Sequence, residues 1–395
     1  MTPRVHLLGG QKIKWALDED LHWARRALEG AVQFSTLPFA GVVHAAWWPA
    51  ILAAGSAALR GKFVVCFADN PPAFYLTRPE FRRIARRIDL WIARSSEARE
   101  QFETLGLPVR TAPYCVDPAL FRPIEGRAAI RVSLGIPPDA FVIGNFHRDS
   151  DGSDLAKPKM QKGPDHFLEI ARGLSGRVPS LVVLLAGPRR HWLRRALEAS
   201  GIRVVFHGQE TGDADDYEVN IQPREELNRL YQALDVCVIS SRWEGGPYSV
   251  LEALFAGRPV ISTPVGTSRD VLDPRAIFSD PGEAVNLLAD HFQTGSLAAC
   301  AVPSRDRALA SHSADALEKA LREIYALISF RNPSLFEAAR SFAGRLLLRR
   351  WPADDLPPVD LMLDPSESSA FWPASGGNSA ALARCAGAIA ACSKP

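Results

Sequence analysis

The sequence predicts an α/β fold of parallel sheets shared between two domains, and three observations carry that expectation. Apolar runs of strand length alternate with amphipathic runs of helix length from Arg4 onward. A strand, a glycine loop, a short helix and a second strand follow one another from Asp235 to Gly266. The chain has 395 residues, enough for two or three domains with sizeable cores.

Taken in order, Arg4 to Leu8 reads as a strand, Gly9-Gly10-Gln11 as a turn, and Asp18 to Leu28 as a helix headed by acids. Further strands are expected at Gly41 to His44, Lys62 to Phe67 and Leu90 to Ala93. Ligands of parallel sheets gather at the carboxyl ends of strands. Those ends fall at Gly10, at His44 with Trp47 and Trp48, and at Asp69-Asn70. Aromatic rings stack on apolar sugar faces, and tryptophans after a strand serve equally well as core. From Pro79 to Ile88, Phe81, Ile84, Ala85 and Ile88 share one helical face, and Arg82, Arg83, Arg86 and Arg87 the opposite one. Such a helix suits an anionic lipid surface, and suits equally a solvated face packed on its sheet.

After Tyr114 to Ile124, a strand at Phe141 to Asn145 opens a second sheet, followed by a long polar, lysine-rich loop and a helix from Pro164. Leu181 to Leu185 ends at Ala186-Gly187-Pro188, and Val204 to Phe206 at His207-Gly208-Gln209. His207 also reads as a satisfied, partly buried histidine. In the Asp235 to Gly266 unit, Val250, Leu251, Leu254 and Phe255 recur at helical spacing and Gly257 stops the helix. Gly245 and Gly246 let a phosphate or sugar ring approach the backbone, and Pro247 fits just before a helix start. That helix start points unpaired N–H groups at the crevice, which suits an anionic ligand. Glu244 and Glu252 frame the loop with seven residues between them. On the helix Glu252 lies with Ser249, away from the apolar face, and a carboxylate accepts two hydroxyl protons of a vicinal diol. A solvated helix glutamate fits the bare spacing as well. A last helix is expected at Ala314 to Ile328, and a basic amphipathic one at Phe336 to Arg350. Beyond Pro352, proline, serine, glycine and alanine dominate and periodicity is lost, apart from an alanine-rich stretch at Ser379 to Ala391.

The segment SSRWEGGPYSVLEALFAGRPVISTPVGTSRDVL closely resembles the donor-site signature of retaining GT-B glycosyltransferases of the large E-x7-E group. Weaker similarity runs through most of residues 110 to 290. The resemblance implies a GT-B fold, two Rossmann-like domains facing each other across a donor/acceptor cleft. It implies a first, acceptor domain over 1–122 and a nucleotide-sugar domain over 123–330. A helix over 331–351 would return towards the first domain, and a low-complexity tail, read as disordered, would fill 352–395. It further implies that Glu244 contacts the sugar hydroxyls and that Glu252 holds the ribose. The turn Gly245, Gly246, Pro247, Tyr248, Ser249, Val250 and Leu251 would hold diphosphate and sugar. Gly208 and Gly10 join the donor-binding set. Arg148 and Lys162 stand where such enzymes use an arginine and a Lys-Gly lysine on the diphosphate, with Lys157 and Lys159 as rivals for the second role. His44, Asp69 and Asn70 become the acceptor candidates. Such enzymes often carry an aromatic or aliphatic residue after Glu-Gly, where this chain has Gly246 and Pro247.

Composition narrows the remaining classes. At 47% hydrophobic and 23% charged residues the chain is ordinarily globular, and a net charge of +2 argues against wholesale nucleic-acid binding. The six cysteines form no CxxC pair and no zinc spacing, which points to a reducing cytoplasm. The start does not read as a signal peptide, and no apolar run approaches the roughly 20 residues of a membrane span. Asp18-Glu19-Asp20 and Asp213-Ala214-Asp215 both spell D-x-D, but one heads a helix and the other lies in an acidic loop, so no metal and no cofactor is expected. No strand is followed by G-x-G-x-x-G, which disfavours a nicotinamide oxidoreductase. A sugar-nucleotide epimerase has no specific support. The expected activity is metal-independent transfer of a sugar, with retention, from a UDP- or GDP-sugar to a hydroxyl of a glycan or lipid-linked acceptor. A nucleotide-sugar-binding scaffold without transfer is the alternative. The expected location is the cytoplasm, with peripheral contact at the inner membrane surface through Arg82, Arg83, Arg86 and Arg87.

Overall fold

Strands β1 (Arg4–Leu8), β2 (Gln33–Phe34), β3 (Val42–Ala45), β4 (Phe63–Phe67), β5 (Leu90–Ala93) and β6 (Val109–Thr111) form one sheet in the order β2-β1-β3-β4-β5-β6, every neighbouring pair parallel. This is a computed structural model, and it describes residues 2–10, 16–151, 154–328, 330, 332 and 333. Alternation along β4 shows why both faces are covered. Val64 and Cys66 point into a cluster with Phe81, Trp91 and Phe102, whereas Val65 and Phe67 join Trp23, Leu28 and Leu321 on the other side.

The second sheet contains β7 (Phe141–Asn145), β10 (Leu181–Ala186), β11 (Val204–His207), β12 (Val236–Ile239) and β13 (Val260–Ser262), again all parallel, in the order β11-β10-β7-β12-β13. Between β7 and β10 lies a short antiparallel hairpin of β8 (Ser150–Asp151) and β9 (Asp154–Pro158), in a stretch the sequence had suggested was loop. Chain order fixes where this sheet can bind. From β7 the chain moves to β10 and β11 on one side and then returns to β12 on the other. The crevice outside the carboxyl ends of β7 and β12 is therefore the topological switch point, the usual ligand site of an open α/β sheet.

By its internal contacts the chain divides into two compact units, the described residues of Met1–Cys115 with Ala314–Pro395, and Val116–Ser313. The expected boundary after residue 122 therefore moves to 115. The helix Ala314–Leu327, expected in the second domain, belongs to the first unit, because Leu317, Leu321, Ile324 and Tyr325 pack with Val5, Trp23, Val42 and Phe67. The helix expected over 331–351 and the tail over 352–395 lie outside the described residues. The arginine-rich helix ends at Ala85 rather than Ile88. Phe81, Ile84, Ala85 and Ile88 are buried, Arg82 is half-buried, and Arg83, Arg86 and Arg87 are exposed. Among the described residues no helix is long and apolar enough to cross a membrane.

Candidate active site

The loop after β12 is locked to the Lys-Gly turn that follows the hairpin. Gly163 sits at φ 59°, and a Cβ there would lie 1.9 Å from the carbonyl oxygen of Ser240, so only glycine fits. The Ser240 hydroxyl donates to Gly163 O at 2.8 Å, and the Arg242 amide to Gln161 O at 2.8 Å. Arg242 also grips Asp165 through two bonds of 2.7 and 2.6 Å. These contacts bring Lys162 to Glu244. Its ammonium donates to Oε1 at 2.5 Å, and the same oxygen accepts from the Ser241 hydroxyl at 2.8 Å. Glu244 is 7% exposed and Lys162 is half-buried, so the carboxylate side of the pair is shielded from water at the switch point.

The glycines and Pro247 pass from this carboxylate into the helix Tyr248–Phe255. Gly245 is pressed from behind by Gly266, where a Cβ would approach the Gly245 carbonyl oxygen to 2.6 Å. Val250 and Leu251 are buried core, and Tyr248 and Ser249 are half-buried on the first turn. Glu252, also half-buried, accepts from the Tyr231 hydroxyl at 2.9 Å. Burial, and then the Glu252 carboxylate, push the Tyr231 phenol well above its ordinary value, so it remains a donor. The ring of Phe146, just past β7, stands edge-on to Tyr231 at 4.8 Å. Sequence reasoning missed Tyr231, which sits on a helix whose pattern shows only an apolar face.

The other expected residues are distributed as follows. Arg148 is half-buried in the segment between β7 and β8. Gly208 follows β11, where a Cβ would meet Asn220 Oδ1 and the Phe206 ring at 2.6 Å; this glycine is required by packing. His207 is the satisfied histidine, its Nε2 being 2.9 Å from Glu226. Three aspartates of the two D-x-D runs pair with arginines: Asp20 with Arg94, Asp213 with Arg195 at 2.6 Å, and Asp215 with Arg189 at 2.7 Å. Among the described residues no cluster of three histidines, cysteines or carboxylates could hold a metal.

In the first unit, Gly10 is exposed at the end of β1 and Asp18 Oδ1 would lie 3.4 Å from a Cβ there. The strand end expected at His44 is corrected. His44 lies within β3, is fully buried, and shares a 2.9 Å hydrogen bond between Nδ1 and the Tyr325 hydroxyl. Burial first, and Arg94 second, lower its pKa to about 3, so it is a neutral core residue and no surface ligand group. Trp48 is likewise core, edge-on to Tyr75 and Phe81. Asp69 and Asn70 do stand beyond the carboxyl end of β4, partly exposed. Tyr75 Oη donates to Asp69 Oδ2 at 2.6 Å, and Asn70 Nδ2 reaches Tyr75 Oη at 3.0 Å. Burial raises the Asp69 pKa to about 6, against the hydrogen bonds from Tyr75 and Asn70.

Residues 153–295 match the family described as glycosyl transferases group 1. The chain is 26% identical over 198 residues to the lipopolysaccharide core biosynthesis mannosyltransferase LpsB of Rhizobium meliloti, covering 48% of this chain and 49% of that protein. It is 33% identical over 165 residues to the D-inositol 3-phosphate glycosyltransferase of Saccharomonospora viridis, covering 40% of this chain and 35% of that protein. The chain thus spans about half the length of the first of these relatives and about a third of the second. Among solved structures it is similar to Anabaena HepE in complex with UDP and glucose, with a TM-score of 0.64 and 15% identity over 82% of this chain and all of that one. The fold is α/β of the GT-B class, and residues 153–295 are similar to the glycosyl transferases group 1 family.

Proposed function

We propose that this protein is a retaining, metal-independent glycosyltransferase that moves a sugar from a UDP- or GDP-sugar to a hydroxyl of a glycan or lipid-linked acceptor. The observation that carries the proposal is the Lys162–Glu244 pair, stitched at the switch point beside the glycine loop and followed by Glu252 on the helix. Similarity to a lipopolysaccharide mannosyltransferase and to a protein solved with UDP supports it.

In this reading Glu252 binds the ribose hydroxyls, with Tyr231 fixing its carboxylate. Glu244 binds hydroxyls of the transferred sugar. Lys162 and Arg148 stabilise the negative charge that grows on the diphosphate as the bond to the sugar's anomeric carbon breaks. The acceptor oxygen attacks that carbon on the face the diphosphate leaves, and its proton passes to a diphosphate oxygen. No protein nucleophile is needed. Asp69 and Asn70 are the acceptor-side candidates. Two cations at the diphosphate take the place of a divalent ion, so excess chelator should leave the rate nearly unchanged.

Glutamine substitutions separate the two carboxylates. Glu252→Gln should weaken binding of free nucleotide and of intact donor alike, by about ten- to a hundredfold, the worth of a charged hydrogen bond. Glu244→Gln should spare the free nucleotide and impair the sugar-dependent step. Parent-like binding of nucleotide and donor by both variants would contradict the assignment. The arginines between Pro79 and Ile88, three of them exposed and Arg82 half-buried, carry a second part of the proposal, reversible docking on anionic lipid in the cytoplasm. Each basic residue contributes roughly 1 kcal/mol near the surface. Vesicle flotation should show binding to anionic lipid at low salt that is lost when Arg82, Arg83, Arg86 and Arg87 are all changed to glutamine. Equal flotation of both proteins would remove the docking.

A further inference from the structure

His147 stands two residues beyond the end of β7, on the switch-point side of the second sheet, and is partly exposed. Among the described residues its ring nitrogens have no hydrogen-bond partner. Two cations act on it electrostatically. Lys162 is fixed by its bond to Glu244. Arg190, reaching in from the loop after β10, is 1% exposed and donates through Nη2 to Asn145 Oδ1 at 2.7 Å, at the last residue of β7. Its Nε lies 3.4 Å from Asp149 Oδ2, too poorly aligned to bond, and neither Nε nor Nη1 has a hydrogen-bond partner. A buried guanidinium with two nitrogens lacking hydrogen bonds, faced by Asp149, keeps positive charge at the strand end.

We infer that His147 is a ligand of the donor's diphosphate: an imidazole just beyond the strand end that Arg190 holds, which hydrogen-bonds a phosphate oxygen and takes up a proton from solvent when that anion arrives. The inference rests on the nucleotide-sugar reading of the same site.

The protein groups around the ring favour its neutral form. Burial, then Lys162, then Arg190 hold the His147 pKa well below its ordinary value. The charged groups around it are Arg148 and Asp149 on its own segment, Lys162 with its partner Glu244, and Arg190. Asp149 offsets Arg190 only in part, since burial raises its own pKa. A diphosphate adds opposite charge beside the ring and so favours the protonated form. Protons bound on association require affinity to rise as pH falls through the pKa of the complex. A neutral imidazole also adds no further positive charge to a site that must release its product.

Proton–nitrogen spectra of the histidine side chains in the full chain test this, with His147 assigned by its loss in His147→Gln. UDP and GDP are the probes, and uridine is the control without phosphate. The expected result is a neutral His147 ring in the free protein near pH 7, moving towards the protonated pattern with UDP or GDP and unmoved by uridine. His147→Gln should weaken UDP binding by about ten- to a hundredfold, and more strongly at pH 6 than at pH 8. Binding of UDP or GDP with the His147 ring unshifted would overturn the inference and leave the glycosyltransferase reading standing. An equal shift with uridine would overturn it too. Failure of both nucleotides to bind would overturn the inference and that reading together.

Discussion

At the scale of single residues, burial moves the titration of Asp69 in the first unit. Its pKa is raised from 3.8 to about 6 by burial, which outweighs the bonds from Tyr75 and Asn70. Between those values the folded chain keeps a proton that the unfolded chain has lost. Stability therefore falls as pH rises through this window and levels off above about 6. Asp69→Asn retains an acceptor for Tyr75 and removes the titration. Its unfolding free energy should gain on the parent between pH 4 and pH 7, by at most about 3 kcal/mol and less where solvent screens the partly exposed carboxylate. A constant difference across that range would show that Asp69 keeps an ordinary pKa. Legibility in the sequence also divides at this scale. Glu244, Glu252 and Lys162 could be read because their spacing and neighbours are local features of the chain. Tyr231 and Arg190 could not, because each meets a partner far off in sequence, Glu252 and Asn145. His44 was misread by the shift of one strand end, since β3 runs on to Ala45 and buries the imidazole.

At the scale of elements, the candidate site depends on two loops held in register, and Gly163 is where they meet. Alanine there would need both a left-handed φ of 59° and a Cβ 1.9 Å from the Ser240 oxygen. Gly163→Ala should cost roughly 2–4 kcal/mol and displace Lys162 from Glu244. Nucleotide affinity should fall with it. A variant with parent-like stability and affinity would mean that the stitching between the loops does not set the site. Strands β1, β5 and β7 were readable to the residue because each is a short apolar run closed by small or polar residues. The β8–β9 hairpin was not. Its pairing rests on backbone bonds, and Leu155 is the one buried apolar side chain among the described residues of its strands.

At the scale of the molecule, each unit is an open parallel sheet covered on both faces, and the last described helix completes the first. That assignment escaped the sequence because the stripe Leu317, Leu321, Ile324 and Tyr325 states that a sheet is covered, not which one. The Tyr325 hydroxyl on His44 and the packing of Leu321 settle it. The central claim, transfer from a nucleotide sugar, is tested most directly by release of nucleoside diphosphate from a panel of UDP- and GDP-sugars, because slow hydrolysis needs no known acceptor. The expected result is release from at least one donor, with Lys162→Ala lowering the rate about a hundredfold or more while changing donor affinity much less. Tight binding of a donor with no release above the uncatalysed rate would contradict the claim and leave a nucleotide-sugar-binding scaffold in its place.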